Sequence, residues 1–437
     1  MKKIENQRLV RQVNIILNTI LNSNDIVKEV QNITFKEIGY SLSEYPSIIC
    51  FLVFLLDIEN FKNNQKIILD SIEKYLNLLI ESINKEYKND VSLIYGLQGV
   101  LRVLNYCSEK IYSASIKKII FSLEDIFLKN CYLKLDFCKN NKDLVFEEDY
   151  DILQGISGCV LYYLDKRQLS REEKEFIFLS RNYLQDIIFS KENNEINLII
   201  KQDCMVDNSL KSSYPFGYTN LGISHGILGP CLVFAKMFNR FKDDTCLQYT
   251  RSICNVYIKN IINTNNLYFW PQRIDANLKN INRNSKVNSS WCLGVAGISR
   301  VLNEISEIIN DVQLKRLSEK TLETLINFPI DEKLKNSNAI CHGNAGLALS
   351  LFRMYQESGN IKWKKFAYKI CERILNAANI NNKYVFVEKY YYCKGHVSKS
   401  LIEYIDLSLL SGNTGIFIVL MGCEIEDFGC LSKLFLV

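Results

Sequence analysis

A pair of glycines separated by two residues recurs six times along the chain, at intervals of 49 to 71 residues. An apolar run with helical spacing follows each pair. Residues 43–52 fit a degenerate first copy without glycines, which makes seven units. Repeats of this length predict stacked supersecondary units, here helical hairpins that bring their equivalent loops to one end of a closed array. A glycine at the start of each helix lets two backbones approach closely or permits positive φ. The six pairs begin at Gly96, Gly155, Gly226, Gly294, Gly343 and Gly412.

The rest of the sequence agrees with an all-α chain. Only five prolines occur in 437 residues, and long segments such as 67–83 and 313–326 carry apolar residues at three- and four-residue spacing. Because no linker rich in Pro, Ser or Gly divides the sequence, we predict one domain over residues 1–437. The stretch of about 188–218 is the least helical, and we predict an insert with some extended structure there.

Charge and cysteine content exclude several classes of protein. The net charge of +5 is spread along the chain, so nucleic-acid binding is not expected. Fifteen cysteines without compact secreted-type spacing predict free thiols in a reducing cytoplasm. The longest apolar run, residues 48–56, is too short to span a bilayer, and no signal-peptide core follows the N-terminus.

Metal-binding residue types are concentrated in the repeated frame. The chain has three histidines, and two of them, His225 and His342, precede a glycine pair. Cys341 lies beside His342, and Cys292 occupies the corresponding place in another copy. Two thiolates and an imidazole suit Zn²⁺ and leave its fourth tetrahedral position open. We therefore predict one zinc per chain, bound by Cys292, Cys341 and His342.

His225 has no cysteine neighbour and need not be a ligand. An imidazole near a metal-bound nucleophile is the usual acid–base group near neutral pH, although a hydrogen-bonded core histidine fits the same pattern. Asp151 lies just before Gly155 and fits two roles, orienting His225 or capping a helix. The third histidine, His396, falls outside the repeated frame and receives no function.

Three ordered motifs together resemble the lanthionine synthetase C-like proteins, the cyclases of lantibiotic biosynthesis. These are Gly-Ile-Ser-His-Gly at 222–226, Trp-Cys-x-Gly at 291–294 and Cys-His-Gly at 341–343. The resemblance covers essentially the whole chain. It implies an α/α toroid of seven inner and seven outer helices with one zinc at its open end. It also implies zinc ligands at Cys292, Cys341 and His342, an acid–base residue at His225 and an active-site aspartate at Asp151.

Two positions depart from the family pattern. Asn288 stands where the family often has Arg, four residues before the first zinc cysteine, and Leu293 stands where Tyr often follows that cysteine. Arg283 is nearby but out of register. These differences leave the metal ligands intact and bear on how developing negative charge is stabilised.

The resemblance implies addition of a peptide Cys thiol to dehydroalanine or dehydrobutyrine, which yields a lanthionine or methyllanthionine ring. It further implies three partners: a dehydrated precursor peptide, a dehydratase and a peptide exporter. Location in the cytoplasm, or peripherally at the inner face of the cell membrane, would follow.

Three other functions remain open at this point. A protein prenyltransferase also combines a helical toroid with a zinc-bound peptide thiol, but it would need a cluster of basic residues to bind a lipid diphosphate. A peptide-binding scaffold with structural zinc or lost activity is the second, suggested by Asn288 and Leu293. An enzyme that joins glutathione to dehydrated protein residues is the third, and testing glutathione as the thiol donor separates it.

Overall fold

The computed structural model describes residues 1–24, 26, 28–30, 41–85, 89–190, 195–205, 207–277, 287–327, 337–394 and 398–434. Seventeen α-helices lie in this described part of the chain. They are α1 Gln7–Asn22, α2 Ser41–Leu55, α3 Gln65–Lys85, α4 Leu97–Lys110, α5 Ala114–Asn140, α6 Glu147–Tyr150, α7 Ile156–Leu164, α8 Arg171–Ile188, α9 Asn208–Ser213, α10 Leu228–Phe241, α11 Asp244–Lys259, α12 Val295–Ile309, α13 Val312–Asn327, α14 Asn344–Ser358, α15 Ile361–Ala377, α16 Asn413–Ile425 and α17 Leu431–Leu434.

Strands are short and occur as three antiparallel pairs within the described residues. Strand β1 (Tyr218–Asn220) pairs with β4 (Arg273–Asp275), and Asn220 is opposite Arg273. Strand β2 (Ile262–Thr264) pairs with β3 (Leu267–Phe269), and β5 (Glu388–Lys394) pairs with β6 (Ser398–Tyr404). The core is formed mainly by helices, and the strands are peripheral to it in number and length.

Each repeat contributes a buried helix, which in every repeat but the first begins at its glycine pair. The buried helices are α2, α4, α7, α10, α12, α14 and α16. Every residue of α7 is buried, as are residues 413–423 of α16, because these helices are apolar on all sides. The helices that follow them, such as α8, α11 and α15, are amphipathic and bury one face. Hairpin contacts join α2 to α3, α7 to α8, α10 to α11, α12 to α13, and α14 to α15.

The chain divides into two compact units. The first consists of Met1–Asp90, Ile94–Leu123 and Asp331–Val437, and the second of Val91–Leu93 and Glu124–Ile330. In the first unit the buried helices pack side by side in the order α14, α16, α2 and α4, so the first and last repeats are neighbours. Helix α1 packs against α16 and gives the last repeat its partner helix from the opposite end of the chain.

In the second unit the buried helices pack in the order α7, α10 and α12. The predicted insert of about 188–218 begins where α8 ends. Its described part contains the bridges Phe189–Ile196 and Ile200–Tyr218, a 3₁₀ turn at Gln202–Cys204 and helix α9. That it is an insert, and that residues 1–437 are a single domain, both stay predictions.

The turns that precede the buried helices share one hydrogen-bonded geometry. In five repeats the backbone carbonyl six residues before the first glycine accepts a hydrogen bond from the N–H just after that glycine. The donor–acceptor distances are 2.7–3.1 Å, and the accepting residues are Asp90, Asn220, Asn288, Ser337 and Asp406. These bonds satisfy helix N–H groups that have no partner within the helix.

The glycines are needed for close approach of two backbones. At Gly294 the backbone is extended (φ −114°), a conformation open to any residue, but a Cβ there would lie 2.5 Å from the Asn288 carbonyl oxygen. A Cβ on Gly297 would lie 1.9 Å from the Trp291 carbonyl oxygen. Of the two reasons for glycine that the sequence offered, close approach is therefore the one that applies at this pair.

A disulfide joins Cys50 of α2 to Cys430, which lies 380 residues later in the same unit. The expectation that the cysteines are free thiols was therefore wrong for this pair. The twelve other cysteines whose side chains are described are thiols rather than disulfides.

None of the described helices is both long enough and apolar enough to cross a membrane.

Gly297→Ala tests the close approach at the helix start. The new methyl would overlap a backbone carbonyl that cannot move aside, so we expect the free energy of unfolding to fall by about 3 kcal/mol or more. Gly359→Ala is the matched control, because no heavy atom lies within 4 Å of its Cβ position and only its left-handed φ of 68° opposes the change. That control should cost about 1 kcal/mol. Equal losses in denaturant unfolding would contradict the close-approach explanation.

Candidate active site and metal ligands

Hydrogen bonds between successive repeats hold the loops that carry the predicted site residues. The Cys292 carbonyl accepts from the backbone N–H groups of Ile223 (3.0 Å) and Ser224 (3.2 Å), in the loop just before His225. The Leu410 carbonyl accepts equivalently from Ile340 and Cys341, both at 3.0 Å. The His225 loop and the Cys341–His342 loop are thus each fixed by a backbone carbonyl of the following repeat.

The second unit brings three predicted site residues to one place: His225, Asp151 and Cys292. The loop of His225 is bonded to the Cys292 carbonyl, and the Ser224 hydroxyl adds a contact to the same oxygen at 3.2 Å. Asp151 contacts the imidazole of His225 directly. The sequence spreads these residues over more than 140 positions, so their proximity is a product of the fold.

Asp151 uses its two carboxylate oxygens for different purposes. Its Oδ1 accepts from three backbone N–H groups, those of Leu153 (3.0 Å), Gln154 (2.6 Å) and Gly155 (2.8 Å). Its Oδ2 lies 2.5 Å from His225 Nδ1. Asp151 therefore holds the turn before α7 and also contacts the histidine, so both roles suggested by the sequence are compatible with the geometry.

The Asp151 contact defines which imidazole nitrogen can meet a substrate. A carboxylate only accepts hydrogen bonds, so the proton between the two groups resides on His225 Nδ1 and leaves Nε2 for other partners. Asp151 is fully buried, whereas the His225 side chain is 32% exposed. Burial acts to lower the pKa of His225, but the hydrogen bond and charge of Asp151, assisted by Glu147 and Cys292, raise it above its ordinary value overall. The raised pKa shifts the imidazole toward its protonated form.

Three residues that the sequence analysis did not select also hold the His225 loop. The Tyr150 hydroxyl donates to the His225 carbonyl at 3.0 Å. Asn220 Nδ2 donates to Glu147 Oε1 at 2.7 Å, and Asn220 Oδ1 accepts from the Gly222 N–H at 2.8 Å. Asn220 could have been noticed, because Asp, Asn or Ser stands six residues before every first glycine. Nothing in the sequence sets Tyr150 or Glu147 apart.

In the first unit, Cys341 and His342 are neighbours in the loop before α14. Burial lowers the pKa of His342 below its ordinary value. The imidazole is therefore neutral near pH 7, which is the form that binds metals. Among the twelve cysteine thiols with described side chains, only Cys292 and Cys341 are partly exposed, and the other ten are buried.

The described residues contain no group of three or more Cys, His, Asp or Glu side chains arranged to hold a metal ion. What fits zinc is the chemistry of the predicted donors. Cys292 and Cys341 are partly exposed cysteines, and His342 is a neutral imidazole, which are the ligand types that Zn²⁺ prefers. The zinc ligand set stays a prediction.

Asn288 and Leu293, the two departures from the family pattern, have structural contacts. The Asn288 Oδ1 accepts from the Ser290 N–H at 2.8 Å, and its carbonyl accepts from the Val295 N–H at 2.7 Å. Asn288 thereby closes the turn before α12, as Asn220 closes the turn before α10. The Leu293 side chain faces Gly222, where a Cβ would be 2.6 Å from Leu293 Cδ2. His396 and Arg283 lie outside the described residues.

Comparison with known proteins connects this site to a family. The lanthionine synthetase C-like protein profile matches residues 39–427. Nisin biosynthesis protein NisC of Lactococcus lactis subsp. lactis is 24% identical over 365 residues, which cover 82% of each chain. The solved structure of nisin cyclase superimposes with a TM-score of 0.78 at 21% identity, covering 96% of this chain and 97% of that one. That structure is an α/α toroid, so the predicted all-α toroidal fold is confirmed.

Asp151→Asn tests the role of Asp151 in setting the histidine tautomer. An amide at this position keeps one oxygen for the backbone N–H groups but presents an NH₂ donor to His225 Nδ1. We expect the proton to move to Nε2, and the pKa of His225 to fall because the carboxylate charge is lost. Both are measurable by NMR of protein labelled with ¹⁵N-histidine, since the chain has only three histidines.

Asp149→Asn is the control for this experiment. The Asp149 carboxylate accepts from the Phe146 N–H at 2.9 Å and lies 3.7 Å from the Lys134 ammonium, whereas it is Asp151 that contacts His225. This variant should therefore keep the wild-type tautomer and pKa of His225. An Asp151→Asn protein that still carried its proton on Nδ1 would exclude the proposed tautomer control.

Proposed function

This chain belongs to the lanthionine synthetase C-like protein family, and we propose that it is a zinc-dependent lantibiotic cyclase. Its reaction would add a Cys thiol of a dehydrated peptide to dehydroalanine or dehydrobutyrine and form a lanthionine or methyllanthionine ring. The observation that carries the proposal is the His225–Asp151 pair, whose loop is bonded directly to the Cys292 carbonyl. The proposed proton donor thus lies beside a loop that carries a partly exposed cysteine.

Cys292, Cys341 and His342 are the proposed ligands of one zinc. With three protein ligands, bound zinc would keep one position for the peptide thiol and favour its thiolate form near pH 7. The neutral state of His342 suits this role, because its pKa is lowered by burial. Both cysteines are partly exposed, unlike the ten buried thiols of the described residues.

The residues of the second unit supply the proton that completes the addition. When the thiolate sulfur bonds to the β-carbon, the electrons of the carbon–carbon double bond move toward the neighbouring carbonyl and leave an enolate. In our proposal, protonated His225 then donates from Nε2 to the α-carbon, while Asp151 holds Nδ1 and stabilises the imidazolium. The thiol proton lost at the start is replaced by the proton that His225 gives up, so the product is an isomer of the substrate.

Orientation is the main contribution expected of the protein. Thiols add to dehydroamino acids without a catalyst, so the protein must select the ring and the face of the enolate that receives the proton. A donor fixed on one side can do this. His225 is suited to the task because both its backbone carbonyl and its ring are hydrogen-bonded.

The proposed partners follow from the chemistry. A dehydratase must first remove water from Ser or Thr of the precursor peptide, and a peptide exporter would remove the product. We propose that this protein works with both, in the cytoplasm or peripherally at the inner face of the membrane.

Cys292→Ala, Cys341→Ala and His342→Ala test the zinc ligands. Each should lower zinc content and ring formation together, because three-ligand binding loses its geometry when one donor is removed. The substrate is a precursor peptide with one cysteine and one dehydroalanine, assayed with and without a chelator. Alkylation mass spectrometry counts the thiols left. A cyclase consumes the thiol only with protein and zinc, whereas a binding scaffold would leave thiol loss at the uncatalysed rate.

His225→Asn tests the proton donor. We expect zinc content to be unchanged and the rate of correct ring formation to fall roughly 100- to 10,000-fold, the usual contribution of a positioned general acid. His396→Asn serves as a control, since it removes a histidine outside the repeated frame. Normal rings made at the normal rate by His225→Asn would refute this role. Adding glutathione as the thiol donor also tests the alternative reaction with a free thiol.

A further inference from the structure

The segment from Glu147 to Asp151 contacts the His225 loop at three separate points. Glu147 Oε1 accepts from Asn220 at the start of the loop, at 2.7 Å. The Tyr150 hydroxyl donates to the His225 carbonyl at 3.0 Å, and Asp151 Oδ2 lies 2.5 Å from the imidazole. One short segment of the chain therefore holds the loop's start, its central backbone and its functional side chain.

The groups that make these three contacts have little freedom to move. Tyr150, Asp151 and Asn220 are all fully buried. Asn220 is fixed further, because its Oδ1 accepts from Gly222 and its carbonyl accepts from Ile227 at 2.9 Å. Asn220 thus ties the start of the His225 loop to its end at Ile227. Glu147 and Tyr150 additionally attach the loop to the neighbouring repeat.

The Tyr150 contact constrains something that the Asp151 contact leaves free. A hydrogen bond to the ring limits rotation of the imidazole, but the ring can still swing with the backbone that carries it. A hydrogen bond to the carbonyl of His225 itself fixes the plane of its peptide group and so the direction in which its side chain leaves the backbone. Together the two contacts determine the position and the direction of Nε2.

We propose that Tyr150 and Glu147 are positioning residues that determine the face of the enolate to which His225 delivers its proton. This inference rests on the proposed cyclase function. An enolate carbon is planar and can be protonated from either side, so the configuration of the new α-carbon records where the donor was. Errors of about 1 Å in such placement can cost on the order of 100-fold in rate.

Tyr150→Phe removes only the hydroxyl of a buried ring. We expect unchanged zinc content, a roughly 10- to 100-fold lower kcat for ring closure and little change in KM, because substrate binding is not the step affected. A measurable share of rings should also carry the opposite α-carbon configuration, read by hydrolysis and chiral chromatography. The substrate is again the precursor peptide with one cysteine and one dehydroalanine, and a reaction without protein measures the uncatalysed mixture.

Tyr75→Phe is the matched control. Tyr75 is also fully buried and its hydroxyl also donates to a backbone carbonyl, that of Ile20 at 3.1 Å, but it belongs to the first unit. Both substitutions should lower the denaturant midpoint of unfolding by a similar amount, because each removes one buried hydrogen bond. Only Tyr150→Phe should change the configuration of the product. Loss of stereochemical control in both variants, or in neither, would overturn the inference.

Glu147 variants separate its hydrogen bond from its charge. Glu147→Ala should alter ring configuration, whereas Glu147→Gln keeps an acceptor oxygen for Asn220 and should restore the wild-type configuration. If neither substitution affects configuration, Glu147 has no positioning role.

If a variant closes no rings, the placement of His225 can still be measured by NMR without substrate. The ¹⁵N-histidine spectrum should show shifted or broadened His225 ring signals in Tyr150→Phe and unchanged signals in Tyr75→Phe. An unchanged His225 signal in a folded Tyr150→Phe protein would reject the inference. Failure of the wild-type protein to close any ring rejects the proposed cyclase function and this inference with it, whereas normal rings from both wild type and Tyr150→Phe reject the inference alone.

Discussion

The buried start of each repeated helix is the constraint on which the structure depends. In the helices that begin at a glycine pair the residues of the first turn are buried, so water cannot satisfy the N–H groups there. A carbonyl from six residues before the first glycine takes over this role in five repeats, and glycine lets that backbone approach. The same turns carry His225, Cys292, Cys341 and His342. The site residues therefore lie in the turns whose geometry is most tightly constrained by the fold.

This constraint explains why so much of the fold could be predicted. Glycine is required where two backbones meet, so the pairs mark every buried helix but the first, and their spacing gave the number of hairpins. Contacts between the two ends of the chain have no corresponding pattern in the sequence. Neither the packing of α1 on α16 nor the disulfide between Cys50 and Cys430 could be predicted, because residues 380 positions apart share no local pattern.

The candidate site was predictable to the extent that its residues are rare and occupy one frame. Three histidines in 437 residues made His225 and His342 conspicuous. Asn288 shows the limit of the same reasoning. In the sequence it stands where an arginine is often found, which suggested altered charge stabilisation, but in the structure it closes a turn through both its side chain and its carbonyl. Tyr150 could not be found at all, since buried tyrosines are common in this chain and only the fold directs its hydroxyl to His225.

The third repeat departs from the shared turn at the place where the proposed chemistry occurs. In four other repeats the residue six before the glycine caps the turn with its own side chain; these residues are Asn220, Asn288, Ser337 and Asp406. In the third repeat that residue is Asp149, which bonds to Phe146 instead, and Asp151 takes over the turn with one oxygen. The other oxygen is then free to bind His225. A carboxylate buried without exposure is costly unless its oxygens are hydrogen-bonded, and the turn supplies three donors. The structural role of Asp151 is thus what permits a buried charge beside the histidine, so removing the side chain would confound folding with function and only the amide variant separates them.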